Sequence, residues 1–377
     1  MSRITILGAG AWGTAIALAL SRRGGHDITL WSHSQDEADT IANAGENILF
    51  LPGFPLPKSI RITASDASVS SAEIVVSVIP SEFLRSTIRR LHPFFRPGQI
   101  VVSATKGIEN ETCLRMTEVI SSALAACNPP MPPSALSAAS SDHGNEVFTE
   151  YATPEVTSAG NQAPPAWLDC LSLSFGALSG PTFALEVAQG QPTAITVAFS
   201  DSVIAARVQN EFSSETLRLY TSTDVTGVEL GGALKNVIAI AAGVAAGMDL
   251  GFNSAAALIT RGIAEITRLA VACGGRRETL AGLSGVGDLV LTCTGSLSRN
   301  RTVGSALGQG RKLPEILASL GGKVAEGVHT TRAALQLARR LSIEMPITEQ
   351  MELILNEGKD PSEAIKDLML RPGKHEH

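Results

Sequence analysis

A β-branched run, Arg3-Ile4-Thr5-Ile6-Leu7, leads into Gly8-Ala9-Gly10-Ala11-Trp12-Gly13, and a small-residue stretch with helical character, Thr14 to Arg23, follows at once. The three glycines of such a turn have separate uses. The first permits a tight turn, the second lets the backbone approach a pyrophosphate, and the third lets helix and strand pack closely. The helix N-terminus meanwhile turns N–H donors and its positive dipole end toward the anion. A strand before the motif and a helix after it supply the context that makes Gly8, Gly10 and Gly13 candidate contacts to a dinucleotide.

That start predicts an α/β fold. Similar short apolar runs recur at Ile28–Trp31, Ile74–Val78 and Ile100–Ser103, separated by segments of helical potential such as Gln35–Ala44 and Glu82–Leu91. Strands apolar on both faces and alternating with helices predict a parallel sheet covered on both sides. From 128 to 169 the chain carries seven prolines and no Lys or Arg, the composition of a surface loop or disordered insert. Strand-like runs resume at Leu171–Phe175, Ala194–Phe199 and Leu217–Tyr220, so the insert interrupts the first domain, expected over 1–222. Beyond it, long Ala/Ile/Leu/Gly segments at 225–247 and 254–273, then shorter ones ending near Leu368, predict an all-α domain over 223–377.

The acidic residue expected about 20 residues past the turn, where it would accept from the adenosine ribose, is absent; the chain there reads Leu30-Trp31-Ser32-His33-Ser34. With no strand-end carboxylate to repel a 2′-phosphate, the cofactor is expected to be NADPH or NADH, with NADPH favoured. His33 is placed to contact that region or to be an exposed loop residue. A net charge of −6 with mixed signs leaves no footprint for nucleic acid or an anionic membrane surface, so a small-molecule partner is expected. The apolar run Val237–Gly247 is about half the length of a membrane span. The scattered Cys113, Cys127, Cys170, Cys273 and Cys293 show neither metal-site nor disulfide spacing, which fits a reducing cytoplasm.

Two adjacent glycines, Gly231 and Gly232, sit inside a predicted helix at a cost of about 1 kcal/mol each relative to alanine. Close approach to a ligand or to the first domain would offset that cost. Lys235 follows on the same segment: either it snorkels to solvent, or in a closed cleft it donates a proton to a carbonyl oxygen as hydride reaches the carbon. A second cluster, Gly282-Leu283-Ser284-Gly285-Val286-Gly287-Asp288 and then Ser298-Arg299-Asn300-Arg301, offers a guanidinium fork and an amide suited to phosphate. Asp288 is placed to orient a substrate hydroxyl or Lys235.

Taken together, the chain resembles the bacterial-type NAD(P)-dependent sn-glycerol-3-phosphate dehydrogenases. The matching segments are GAGAWGTA, LPG at 51–53, ATKGIE at 104–109, LSGPTFALEVAQGQPTA at 178–194, GVELGGALKNVIAIAAG at 227–243, NSAAALITRGIAE at 253–265, GLSGVGDLVLTCTGSLSRNR at 282–301 and AEGVHTT at 325–331. They run in order through both halves and leave out the segment at 128–169. The resemblance implies reversible reduction of dihydroxyacetone phosphate to sn-glycerol 3-phosphate, the backbone precursor of phospholipids, by a homodimer. It implies Lys235 as catalytic acid/base, Lys106, Gly180 and Thr182 beside the substrate, and Asp288, Ser298, Arg299 and Asn300 completing the pocket. Trp12, His33, Lys106, Ala184, Arg299, Val324 and Glu326 would touch the cofactor. The rival readings are a 3-hydroxyacid dehydrogenase or ketopantoate reductase, which act on carboxylates, and a non-catalytic NADPH sensor.

Overall fold

A computed structural model describes residues 1–125, 172–319, 325–373 and 375. The segment at 128–169, the start of the expected strand at Leu171, and Val324 lie outside the described residues. The chain opens with β1 Ser2–Leu7, α1 Ala11–Arg23, β2 His26–Trp31 and α2 Gln35–Ala44. Next come a short hairpin, β3 Glu46–Asn47 and β4 Leu51–Pro55, then β5 Ile60–Thr63, β6 Ile74–Ser77, α3 Ser81–Leu91, β7 Ile100–Ser103 and α4 Met116–Ala125. After the undescribed segment follow β8 Ser174–Ser179, α5 Ala184–Gln189, β9 Thr193–Phe199, α6 Ser202–Phe212 and β10 Leu217–Ser222. Helices then continue as α7 Val225–Gly247, α8 Gly251–Ala272, α9 Arg277–Leu280, α10 Asp288–Thr294, α11 Arg299–Gly308, α12 Leu313–Ser319, α13 Glu326–Arg340, α14 Pro346–Asn356 and α15 Pro361–Met369.

Eight strands form one sheet in the order β10-β9-β8-β7-β6-β1-β2-β5. The β-branched runs explain why both faces are dry. Ile4, Ile6, Ile74, Val76, Ile100 and Val102 pack under Ile16 and Leu20 of α1. Leu7, Val75 and Val101 face Leu84 and Ile88 of α3 and Ile120 of α4 on the other side. Each such side chain contributes roughly 1.5–3 kcal/mol of burial.

The sheet departs from the expected parallel pattern at one pairing, β8 with β9, which is antiparallel. Its register, Ser179 opposite Thr196 and Gly176 opposite Phe199, shows the chain re-entering at the end it left. The intervening α5 has six residues, a rise of about 9 Å, too short to carry the chain back along a six-residue strand of about 20 Å. The edge strand β5 and the β3/β4 hairpin also escaped the sequence reading, because short, half-exposed runs carry little hydrophobic pattern.

The helical part is organised around α7, in which every residue from Gly227 to Ala245 is buried. The apolar run Val237–Gly247 is its C-terminal half. The helix is long and apolar enough to cross a membrane, with a mean hydropathy of 1.5, and 89% of that apolar window is buried inside the protein. The charged residues Glu229 and Lys235 lie on the half of α7 that precedes that run. Both are paired inside the fold, Glu229 with Arg115 at 2.6 Å and Lys235 with Asp288.

Candidate active site

The glycine turn is built as its spacing requires. Gly8 adopts φ 116°, and a Cβ there would lie 2.9 Å from the Val78 carbonyl oxygen. A Cβ on Gly13 would lie 2.0 Å from the Gly8 carbonyl oxygen, which is the close strand–helix contact. At Gly10 the same construction meets nothing within 4 Å. The middle glycine therefore faces open space at the N-terminus of α1, where it serves as N-cap. Beside it, the buried indole Nε1 of Trp12 has no hydrogen-bond partner among the described residues. An open backbone cradle and an orphaned donor fit a dinucleotide lying across this turn.

Lys106 leaves the C-terminal side of β7, and Gly180 leaves that of β8. Ligands of open α/β sheets bind outside the carboxyl ends of the strands, and here α7 closes against that edge. A Cβ on Gly232 would lie 2.3 Å from Ser179 Oγ, and one on Gly231 would lie 2.5 Å from the Ser284 carbonyl oxygen. The paired glycines thus admit the sheet on one side and the 283–287 turn on the other, which is the close approach their helix cost implied.

At this junction two ammonium groups share one carboxylate. Lys106 Nζ donates to Asp288 Oδ2 at 2.6 Å and to the Gly180 carbonyl at 3.2 Å. Lys235 Nζ donates to Asp288 Oδ1 and, at 2.9 Å, to Thr292 Oγ1. Asp288 is fully buried, and the side chains of Lys235 and Lys106 are 8% and 12% exposed. The Lys235 ammonium is held down at about 8: burial lowers it most, the Asp288 carboxylate opposes that, and the like charge of Lys106 adds to it. Thr182 Oγ1 donates to the same Gly180 carbonyl at 3.1 Å, which places it beside Lys106.

Around this centre the remaining sequence candidates separate. Arg299 is exposed at the start of α11 and its side chain has no hydrogen bond or ion pair among the described residues. Asn300 is buried and tied into the protein: its Nδ2 donates to Asn236 Oδ1 at 3.0 Å, and its Oδ1 accepts from Gly327 N–H at 3.0 Å. Asn236 Nδ2 in turn donates to Glu326 Oε2 at 3.2 Å, linking α7, α11 and α13. Ser298 caps α11, its Oγ accepting from Arg301 N–H. Ala184 begins α5 and packs partly buried against the same sheet core that Trp12 packs against. The His33 side chain is 76% exposed, 3.2 Å from Glu37 Oε2.

The sequence reading did not single out Thr292 and Asn236. Thr292 stands four residues after Asp288 on α10, one turn along the same face, so helical spacing would have found it. Asn236 was visible beside Lys235, but its partners come from helices 60 to 90 residues away.

Comparison with known proteins agrees with this geometry. The model of the NAD-dependent glycerol-3-phosphate dehydrogenase N-terminus matches residues 3–164, and that of the C-terminus matches residues 224–366. A glycerol-3-phosphate dehydrogenase [NAD(P)+] of Acidobacterium capsulatum is 51% identical over 380 residues, covering all of both chains. One from Koribacter versatilis is also 51% identical, covering all of this chain and 99% of its own. The crystal structure of glycerol-3-phosphate dehydrogenase from Coxiella burnetii superposes with a TM-score of 0.82 at 34% identity, over 98% of this chain and 99% of that one. With matching models over both halves and relatives aligned end to end, the chain belongs to the NAD(P)-dependent glycerol-3-phosphate dehydrogenase family.

Proposed function

We propose that the chain catalyses the reversible NAD(P)H-dependent reduction of dihydroxyacetone phosphate to sn-glycerol 3-phosphate, supplying glycerophospholipid synthesis. The observation that carries this reading is the pair of ammonium groups, Lys106 and Lys235, on the two oxygens of buried Asp288 where the strand ends meet α7. A bound reduced nicotinamide supplies hydride to the carbonyl carbon. Lys235 gives its proton to the carbonyl oxygen, and a pKa of about 8 keeps that proton both present and transferable near neutral pH. Asp288 and Thr292 hold the ammonium in place, and Lys106 adds positive charge where negative charge develops on oxygen.

The exposed guanidinium of Arg299 takes the phosphate, and Gly180, Thr182, Ser298 and Asn300 shape the pocket around the substrate. Gly8, Gly10, Trp12 and Gly13 hold the pyrophosphate side of the dinucleotide. His33 lies toward its ribose, and Lys106, Ala184, Arg299 and Glu326 lie toward its other end. In this reading residues 1–222 form the dinucleotide-binding domain and 223–377 the helical domain, and the enzyme works as a homodimer in the cytoplasm.

Purified protein given dihydroxyacetone phosphate, and separately 2-ketopantoate, tests the assignment through loss of reduced-nicotinamide absorbance with each cofactor. Oxidation with the phosphate alone is expected. Oxidation with ketopantoate alone would replace this function with that of a carboxylate reductase, and silence with both would leave a dinucleotide-binding sensor.

A further inference from the structure

The end of β2 carries no acid, but the structure brings one there from α2. Ser34, Gln35, Asp36 and Glu37 have the spacing of a capping box, and Ser34 Oγ accepts from Glu37 N–H at 3.1 Å. The usual reciprocal bond would send the Glu37 carboxylate back to Ser34 N–H. Here Ser34 N–H points to Ser32 Oγ at 3.4 Å, and Ser32 Oγ donates to Glu37 Oε2. With Ser32 between them, the carboxylate is released from capping and sits one hydrogen bond from the first residue past β2. A strand-end Asp or Glu would put its own carboxylate in the same place.

Its surroundings contain little to offset the charge. Glu37 and Asp36 line a cavity of about 200 Å³ together with Ile41, Asn47, Ile48 and Leu49, and no lysine or arginine among the described residues lines it. Asn47 joins that cavity to the glycine turn, its Nδ2 donating to the Ala9 carbonyl at 2.6 Å. Arg90 reaches the same strand end, lying over the Trp31 ring at 5.4 Å and donating to the His33 carbonyl at 3.3 Å, but its charge is paired with Asp66, which it chelates at 2.8 and 2.7 Å, and not with Glu37. The opposing group on Glu37 itself is His33, three-quarters exposed.

We propose that Glu37 is the residue that discriminates between the two cofactors, accepting from the adenosine 2′-hydroxyl of NADH and repelling the 2′-phosphate of NADPH. This rests on the dinucleotide-binding reading of the glycine turn. The charge, rather than the bulk, is what discriminates, so E37Q keeps the size and the hydrogen bond to Ser32 while removing the repulsion.

Equilibrium binding of NADH and of NADPH, read from the fluorescence of the bound reduced nicotinamide, tests this without substrate or turnover. In E37Q the ratio of the NADPH to the NADH dissociation constant should fall about tenfold, or about 1.4 kcal/mol. D39N removes the same charge from the exposed side of α2, where Asp39 accepts from Gln35, and should leave the ratio within twofold of wild type. A ratio unchanged in E37Q, or shifted equally in D39N, overturns the inference while the dinucleotide reading stands. A wild-type protein that binds neither cofactor overturns both.

Discussion

The shared carboxylate makes a two-sided prediction. If Lys235 is the proton donor, its acidity is set by two charges of opposite sign that meet at Asp288, and each can be removed alone. Reduction requires the protonated amine, so kcat/KM for dihydroxyacetone phosphate should fall as pH rises through about 8, and oxidation of glycerol 3-phosphate should rise through the same point. In D288N the carboxylate that holds the proton on Lys235 is gone while Lys106 stays. In K106M the repelling ammonium is gone while Asp288 stays. Unit charges about 4 Å apart interact by roughly 4 kcal/mol at an effective dielectric of 20, close to three pH units before the site relaxes or admits water. A shift of about one to two units is the reasonable expectation, downward for D288N and upward for K106M.

The assay is the pH profile of kcat/KM for both variants against wild type. D288N should also lose about 3 kcal/mol or more of stability, because two buried ammonium groups are left unpaired. A structural role for Asp288 alone would give that loss without moving the profile. If neither limb moves, or both move the same way, the group titrating near 8 is not Lys235 and the proton-donor assignment fails.

Three further outcomes follow from the geometry. R299A should raise KM for dihydroxyacetone phosphate by about 10- to 100-fold, the worth of a charge-assisted fork, with little effect on unphosphorylated dihydroxyacetone; equal losses would remove phosphate from its role. G231A should destabilise by about 1–3 kcal/mol despite the helix-propensity gain, since the new methyl meets the backbone oxygen of Ser284 at 2.5 Å, whereas G232A meets a hydroxyl that can rotate and should cost less; urea unfolding compares the two. Glu265, buried under the α14 N-terminus, accepts from Ile347 N–H at 2.7 Å and Thr348 N–H at 3.3 Å, and burial pushes it up from 4.5 to about 7. The folded state then holds a proton that the unfolded chain has released, so this contribution, about 3 kcal/mol, is full below pH 4.5 and lost as pH rises through 7. Urea midpoints at pH 5 and 7.5 should differ more in wild type than in E265Q.

How much of this was legible from the sequence depended on the range over which the responsible contacts act. The glycine turn, the β-branched strands and the 225–247 helix are set by neighbouring residues, and each appears where local pattern put it. Lys106, Lys235 and Asp288 were each found in the sequence, but separations of 182 and 53 residues hid the fact that one carboxylate serves both lysines. The same limit split Arg299 from Asn300. As neighbours they read as one phosphate fork, yet successive helical positions point about 100° apart, and the fold sends the guanidinium to solvent and the amide into the link between α7 and α13.

Glu37 shows the opposite failure, a contact only five residues long that the sequence still concealed. A ribose-binding acid is expected at the strand end because that is where a carboxylate with a short reach must sit. A glutamate at the third position of the following helix has the reach to return to the same place, provided the cap it would normally serve is satisfied by another group. Ser32 supplies that group, and it stood in the sequence as an unremarked residue between Trp31 and His33. What a local motif leaves open is which partner each polar atom takes, and at this strand end that choice decides whether a negative charge faces the cofactor.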